Sequence, residues 1–114
     1  MKYEYRIYEE VYNDMLSGKK TIEYRLLNEK SKKINIGDEI KFIVVNNEDK
    51  YILTKVIDKF VYDNLEELWS SSKTQNNILD CNKETFKETF YKIFTKEKVD
   101  KSKIVGFKIM VTSS

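Results

Sequence analysis

The chain has no histidine, no proline, one cysteine, one tryptophan and three glycines in 114 residues. Each shortage removes a class of chemistry. Without histidine, the Ser-His, Cys-His and paired-histidine arrangements used for hydrolysis or RNA cleavage cannot be built, so any catalysis must run on Lys, Glu, Asp, Tyr, Ser or Thr. The lone Cys81 cannot close an internal disulfide, and it reads as a small packing residue. A metal site would have only carboxylates and that one thiolate to draw on, so neither a metal nor an organic cofactor is expected. No apolar run approaches the roughly 20 residues that span a bilayer. The opening Met1-Lys2-Tyr3-Glu4-Tyr5 lacks the apolar core of a signal peptide. The expectation is a cytoplasmic protein without a membrane partner. The absence of proline leaves loop geometry to Gly, Asn, Asp and Ser.

What is present describes a folded domain: 40% of residues are apolar and 35% charged, with eight tyrosines and six phenylalanines. The length suits one domain over residues 1–114. A net charge of +2 argues for no particular partner, but its distribution is uneven. Lys19 to Lys33 holds six basic and two acidic residues, and Lys92 to Lys103 holds five lysines against Glu97 and Asp100. Brought together, the two stretches would make a phosphate-facing surface. Solvated lysines that keep a small protein soluble would give the same pattern.

Tyr3, Tyr5 and Ile7 alternate with charged residues and predict a strand. Glu9 to Ser17 places Val11, Tyr12, Met15 and Leu16 on one helical face, with Gly18 to end the helix. A strand over Thr21–Leu27, a polar loop over Asn28–Lys33 and a turn at Ile34-Asn35-Ile36-Gly37-Asp38 follow. Strands Glu39–Val45 and Lys50–Phe60 are then joined by a hairpin loop at Asn46-Asn47-Glu48-Asp49. Both carry apolar residues on both parities, which predicts that both faces are covered. Asp63 and Glu66 read as a capping box for a helix to Trp69. Ser70 to Asn77 reads as a polar loop. Phe86, Phe90, Ile93 and Phe94 make a helical stripe within 83–95, and Val105, Phe107, Ile109 and Val111 make a closing strand. The fold class is α+β.

The densest chemistry lies in Gly18-Lys19-Lys20-Thr21-Ile22-Glu23-Tyr24-Arg25. In a regular strand Thr21, Glu23 and Arg25 share one face, which sets a carboxylate beside a guanidinium. An isolated Glu-x-Arg of this kind is commonly a surface ion pair. Here the pattern is longer, Gly-x-Lys-x-x-Glu-x-Arg, and it resembles the signature of the ASCH domain family. The order of elements from the first strand to the closing Ile104-Val105-Gly106-Phe107-Lys108-Ile109 is similar too, so the resemblance spans nearly the whole chain. It implies a PUA-like mixed β-barrel of five or six strands with flanking helices. It also implies a cleft lined by Lys20, Glu23 and Arg25 that handles RNA or a modified nucleoside.

Two mechanisms follow from the resemblance. In the first, Lys20, Glu23 and Arg25 bind phosphate or a base edge, Tyr24, Tyr12 or Trp69 offers a stacking face, and Lys32 and Lys33 add positive charge. In the second, the domain is a metal-independent amidohydrolase that deacetylates acetylated cytidine nucleosides, with Lys20, Thr21 and Glu23 as candidate catalytic groups. The amidohydrolases carry threonine where this chain has Glu23, and here the strand hydroxyl is Thr21. A lysine acting as a base near neutral pH needs its pKa brought several units below about 10.4. Asp80 and Glu88 are candidates for a further carboxylate. A more distant group of the family cleaves RNA with lysine, tyrosine and serine, for which Tyr5, Tyr91 and the serines at 70–72 are available. A protein-interaction module is the third reading. No DNA-specific motif is present, and a monomer is expected.

Overall fold

The structure, a computed structural model, describes residues 1–71 and 83–113. Asp80, Cys81 and most of the expected polar loop lie outside the described residues, as do the side chains of Phe86 and Ile93. The elements run β1 (Lys2–Ile7), α1 (Glu9–Leu16), β2 (Ile22–Leu26), α2 (Glu29–Lys33), β3 (Glu39–Val44), β4 (Asn47–Tyr62), α3 (Leu65–Ser70), α4 (Lys83–Ile93), α5 (Lys96–Lys101) and β5 (Ile104–Ser113). The five strands form one mixed sheet in the order β1-β3-β4-β5-β2. By internal contacts the chain divides into two compact units. One comprises Met1–Glu23, Lys33–Lys59 and Phe107–Ser114, and the other Tyr24–Lys32 and Phe60–Gly106.

In the first unit, β1 pairs parallel with β3, with Lys2 opposite Glu39 and Ile7 opposite Val44. Strand β3 pairs antiparallel with β4, with Glu39 opposite Lys55 and Ile43 opposite Tyr51. The alternation seen in the sequence sends Tyr5, Ile7, Ile40, Phe42, Ile52 and Val56 inward, and the rings of Tyr5 and Phe42 stack 6.3 Å apart. The expected four-residue hairpin loop is shorter. The chain reverses at Val45-Asn46, Asn46 adopts φ +65°, and β4 begins at Asn47. Asparagine tolerates the left-handed region at small cost, so two residues suffice.

The turn before β3 forms as expected. Gly37 takes φ +97°, and Asp38 accepts the Asn35 N–H at 2.9 Å. One expectation fails in this unit. Apolar residues of the second parity on β3 and β4 are not covered, and Leu53 and Ile57 are 38% and 43% exposed.

In the second unit three expectations shift. Residues 29–33, read as loop, form α2, because Asn28 Oδ1 accepts the Ser31 N–H at 2.9 Å and Ser31 Oγ accepts the Asn28 N–H at 2.8 Å. This is a reciprocal cap that fixes one helical turn. Helix α3 starts one residue later than expected. Asn64, not Asp63, is the cap and accepts the Glu67 N–H at 2.8 Å, while Asp63 faces Lys103 at 3.5 Å. In that frame Leu65 and Leu68 are both buried. Helix α4 ends at Ile93, and Thr95 caps the separate α5, which buries Val99.

Candidate functional site

Lys20 is placed by the end of α1. Gly18, at φ +81°, turns the chain out of the helix, where a side chain would be strained whatever the space. Its N–H reaches Met15 O at 3.3 Å, and the Lys20 N–H closes onto Asp14 O at 3.0 Å. Unpaired helix carbonyls are thereby satisfied, and the lysine is fixed at the entry of β2.

Two backbone bonds set what β2 faces. The Ile109 N–H donates to Thr21 O at 2.9 Å, and the Leu27 N–H donates to Lys103 O at 2.8 Å. An antiparallel register through these bonds sets Glu23 opposite Phe107 and Arg25 opposite Val105, on a shared face. Phe107 is fully buried. Glu23 is therefore a core-facing carboxylate, 6% exposed. It forms an ion pair with Lys20, with Nζ 3.4 Å from Oε1 and the lysine side chain 26% exposed. A carboxylate taken out of water needs such compensation. An ammonium held in an ion pair acts as a hydrogen-bond donor, so the pair presents a donor and an acceptor side by side at the rim of an apolar wall.

The structure thus brings Lys20 and Glu23 together and leaves Thr21 beside them, half-buried. Arg25, also half-buried, lies two residues farther along β2, in the segment that belongs to the second unit. Tyr24 is 8% exposed with its ring 6.4 Å from that of Phe90, so the stacking surface expected of it is taken up by the core. Lys32 and Lys33 are exposed at the end of α2. Tyr12 and Trp69 are half-buried, and the Lys50 ammonium stands 5.8 Å over the Tyr12 ring.

The second basic stretch is mostly neutralised. Lys96 pairs with Asp100 at 2.9 Å, Lys101 with Glu97 at 3.0 Å and Lys103 with Asp63 at 3.5 Å. Among the described residues no cluster of His, Cys, Asp or Glu is large enough to hold a metal, and no helix is long and apolar enough to cross a membrane. Sequence reasoning missed the role of Phe107 as the wall facing Glu23. Its parity in the closing strand was visible, but the strand it would pair with was not.

No protein-family model matches the sequence, and no curated protein matches it at a significant level. Solved structures do. The hypothetical protein PH0355 superposes with a TM-score of 0.81 at 27% identity, covering 97% of this chain and 99% of that one. The ASCH protein of Zymomonas mobilis gives 0.63 at 16% identity over 94% of this chain and 65% of its own. The ASCH domain of Lactobacillus crispatus gives 0.64 at 12% identity over 99% and 81%. Taken with the mixed five-stranded sheet and its flanking helices, these likenesses show that the chain has an α+β fold shared with solved ASCH domain structures.

Proposed function

We propose that the chain recognises an unstacked RNA base or a modified nucleoside through the Lys20–Glu23 pair. The observation that carries this reading is the asymmetry of the pair: a buried carboxylate beside an ammonium that keeps a quarter of its surface open. A buried charge among apolar neighbours adds little to fold stability compared with an apolar residue of similar volume. What it supplies is an acceptor of fixed direction. Glu23 accepts from a base amino group, Lys20 donates to a ring carbonyl or nitrogen, and the two discriminate base edges as single-stranded recognition requires. Arg25, two residues farther along the same strand, contributes positive charge for phosphate. The PUA-like fold supports an RNA-directed role, and no cofactor is needed for it.

The test is fluorescence anisotropy with labelled single-stranded and hairpin RNAs, and NMR titration with a panel of modified nucleosides, on the wild type, Lys20→Ala and Arg25→Ala. Loss of a charged hydrogen bond is worth about 1.5–3 kcal/mol, so Lys20→Ala is expected to weaken binding by about 10- to 100-fold. Arg25→Ala is expected to flatten the salt dependence with RNA. Affinity unchanged in a folded Lys20→Ala protein would overturn the reading. Mass spectrometry of the same nucleoside mixtures separates binding from turnover: Lys20-dependent loss of an acetyl group from acetylated cytidine would assign an amidohydrolase instead.

A further inference from the structure

Strands β3 and β4 are apolar on both parities, and the core uses only one of them. Ile40, Phe42, Val44, Ile52 and Val56 are 2% exposed or less. On the other parity Ile43 and Tyr51 lie directly opposite each other and half-exposed, Leu53 is 38% exposed and Ile57 43%. The end of β5 adjoins this patch, since the Thr112 hydroxyl donates to Leu53 O at 3.0 Å. A hollow of about 350 Å³ opens at its border, lined by the charged Lys2, Glu4, Glu39 and Lys41 beside Leu53 and Thr112. Ile43, Tyr51 and Leu53 thus form a part-exposed apolar cluster, with the Lys41 ammonium 4.6 Å over the Tyr51 ring, and an apolar cluster with a polar rim marks a protein contact.

The rim indicates which protein. Along β1 the outward charges alternate as Lys2, Glu4, Arg6. Across the sheet Lys2 stands opposite Glu39, Glu39 opposite Lys55, and Glu4 opposite Lys41. Lys2 and Glu39 are 3.8 Å apart, and Arg6 pairs with Glu48 at 3.0 Å. Nucleic acid selects for uncompensated cations, and these cations stand next to carboxylates. A two-fold interface presents one patch to itself, so the patch must be its own complement. A surface whose charges alternate both along and across the strands meets that condition: turned antiparallel and offset by one row, Lys2 faces Glu4 and Glu39 faces Lys41 of the other copy, with Leu53 against the aliphatic stem of Lys55.

We infer that the outer face of β1, β3 and β4 is the interface of a homodimer, sheet against sheet. This departs from the monomer expected on sequence grounds, and it stands independently of the proposed RNA site.

Sedimentation velocity and light scattering from about 5 to about 500 µM test it. The wild type is expected to reach twice the 13.7 kDa chain mass within that range. Because Leu53 is partly exposed, Leu53→Glu is expected to keep the fold, checked by circular dichroism, while weakening association by about tenfold or more. Amide NMR shifts of the wild type are expected to move with concentration around Ile43, Tyr51 and Ile57. A wild type that stays monomeric at the highest concentration overturns the inference. So does a dimer insensitive to Leu53→Glu, or one whose shifting amides lie elsewhere.

Discussion

Asp38 ties the turn before β3 to the start of the chain. Its carboxylate accepts the Asn35 N–H at 2.9 Å and faces the terminal ammonium of Met1 at 3.3 Å. The Asn35 bond, aided by that ammonium, holds the carboxyl below its ordinary value of 3.8. A carboxyl depressed in the folded state stabilises the fold above the unfolded pKa, and that contribution is lost as pH falls through the lower, folded value. Asp38→Asn is therefore expected to lower the urea midpoint at neutral pH and to narrow its gap to the wild type below about pH 4, as read by urea titrations from pH 2 to about pH 7. Lys20 and Glu23 were legible at this scale, because a glycine turn followed by a fixed spacing of charged side chains needs no tertiary information. That Glu23 faces Phe107, or that Tyr24 sits against Phe90, was not legible. Those neighbours are set by strand pairing and helix packing across long stretches of sequence.

Helix α2 is the element the sequence concealed. Five residues are too few for a hydrophobic period, and the polar run Asn28–Lys33 has the composition of a loop. What makes it a helix is Ser31, which is fully buried, accepts the Asn28 N–H and donates its hydroxyl to Leu26 O at 2.9 Å. Ser31→Ala is expected to cost about 1–3 kcal/mol, measured by equilibrium denaturation, because it leaves buried backbone groups without their partner. Ser31→Thr, which keeps a hydroxyl but adds a methyl in a closed site, is expected to lie between the alanine variant and the wild type. The other shifts have equally local causes. Asp63 and Asn64 both suit a helix cap, and burial of Leu65 and Leu68 selects the second. Helix α5 was hidden because Val99 is its only buried residue. The long strands were read correctly in kind, since alternation over six or more residues outweighs local ambiguity.

Over the whole molecule, clusters of charge in the sequence overstate the charge on the surface, because the fold pairs many of its lysines. Side-chain hydrogen bonds donated by Lys50 to Glu9, by Lys87 to Glu66 and by Lys96 to Asp100 raise each of these ammonium groups above the ordinary 10.5. A raised folded value means that the contribution is complete below the unfolded pKa and is lost as pH rises through the folded one. The unfolding midpoint is thus expected to hold steady to about pH 9.5 and to fall above about pH 10.5, with the fall shallower in a Lys50→Gln, Lys96→Gln double variant. The bond between Thr21 O and the Ile109 N–H has a kinetic consequence. It joins segments near opposite ends of the chain, a closure that costs entropy before it returns contacts. The wall that Glu23 faces is then among the last surfaces to assemble during folding, and in a nascent chain still lacking β5 the strand β2 has no neighbour in the sheet to pair with.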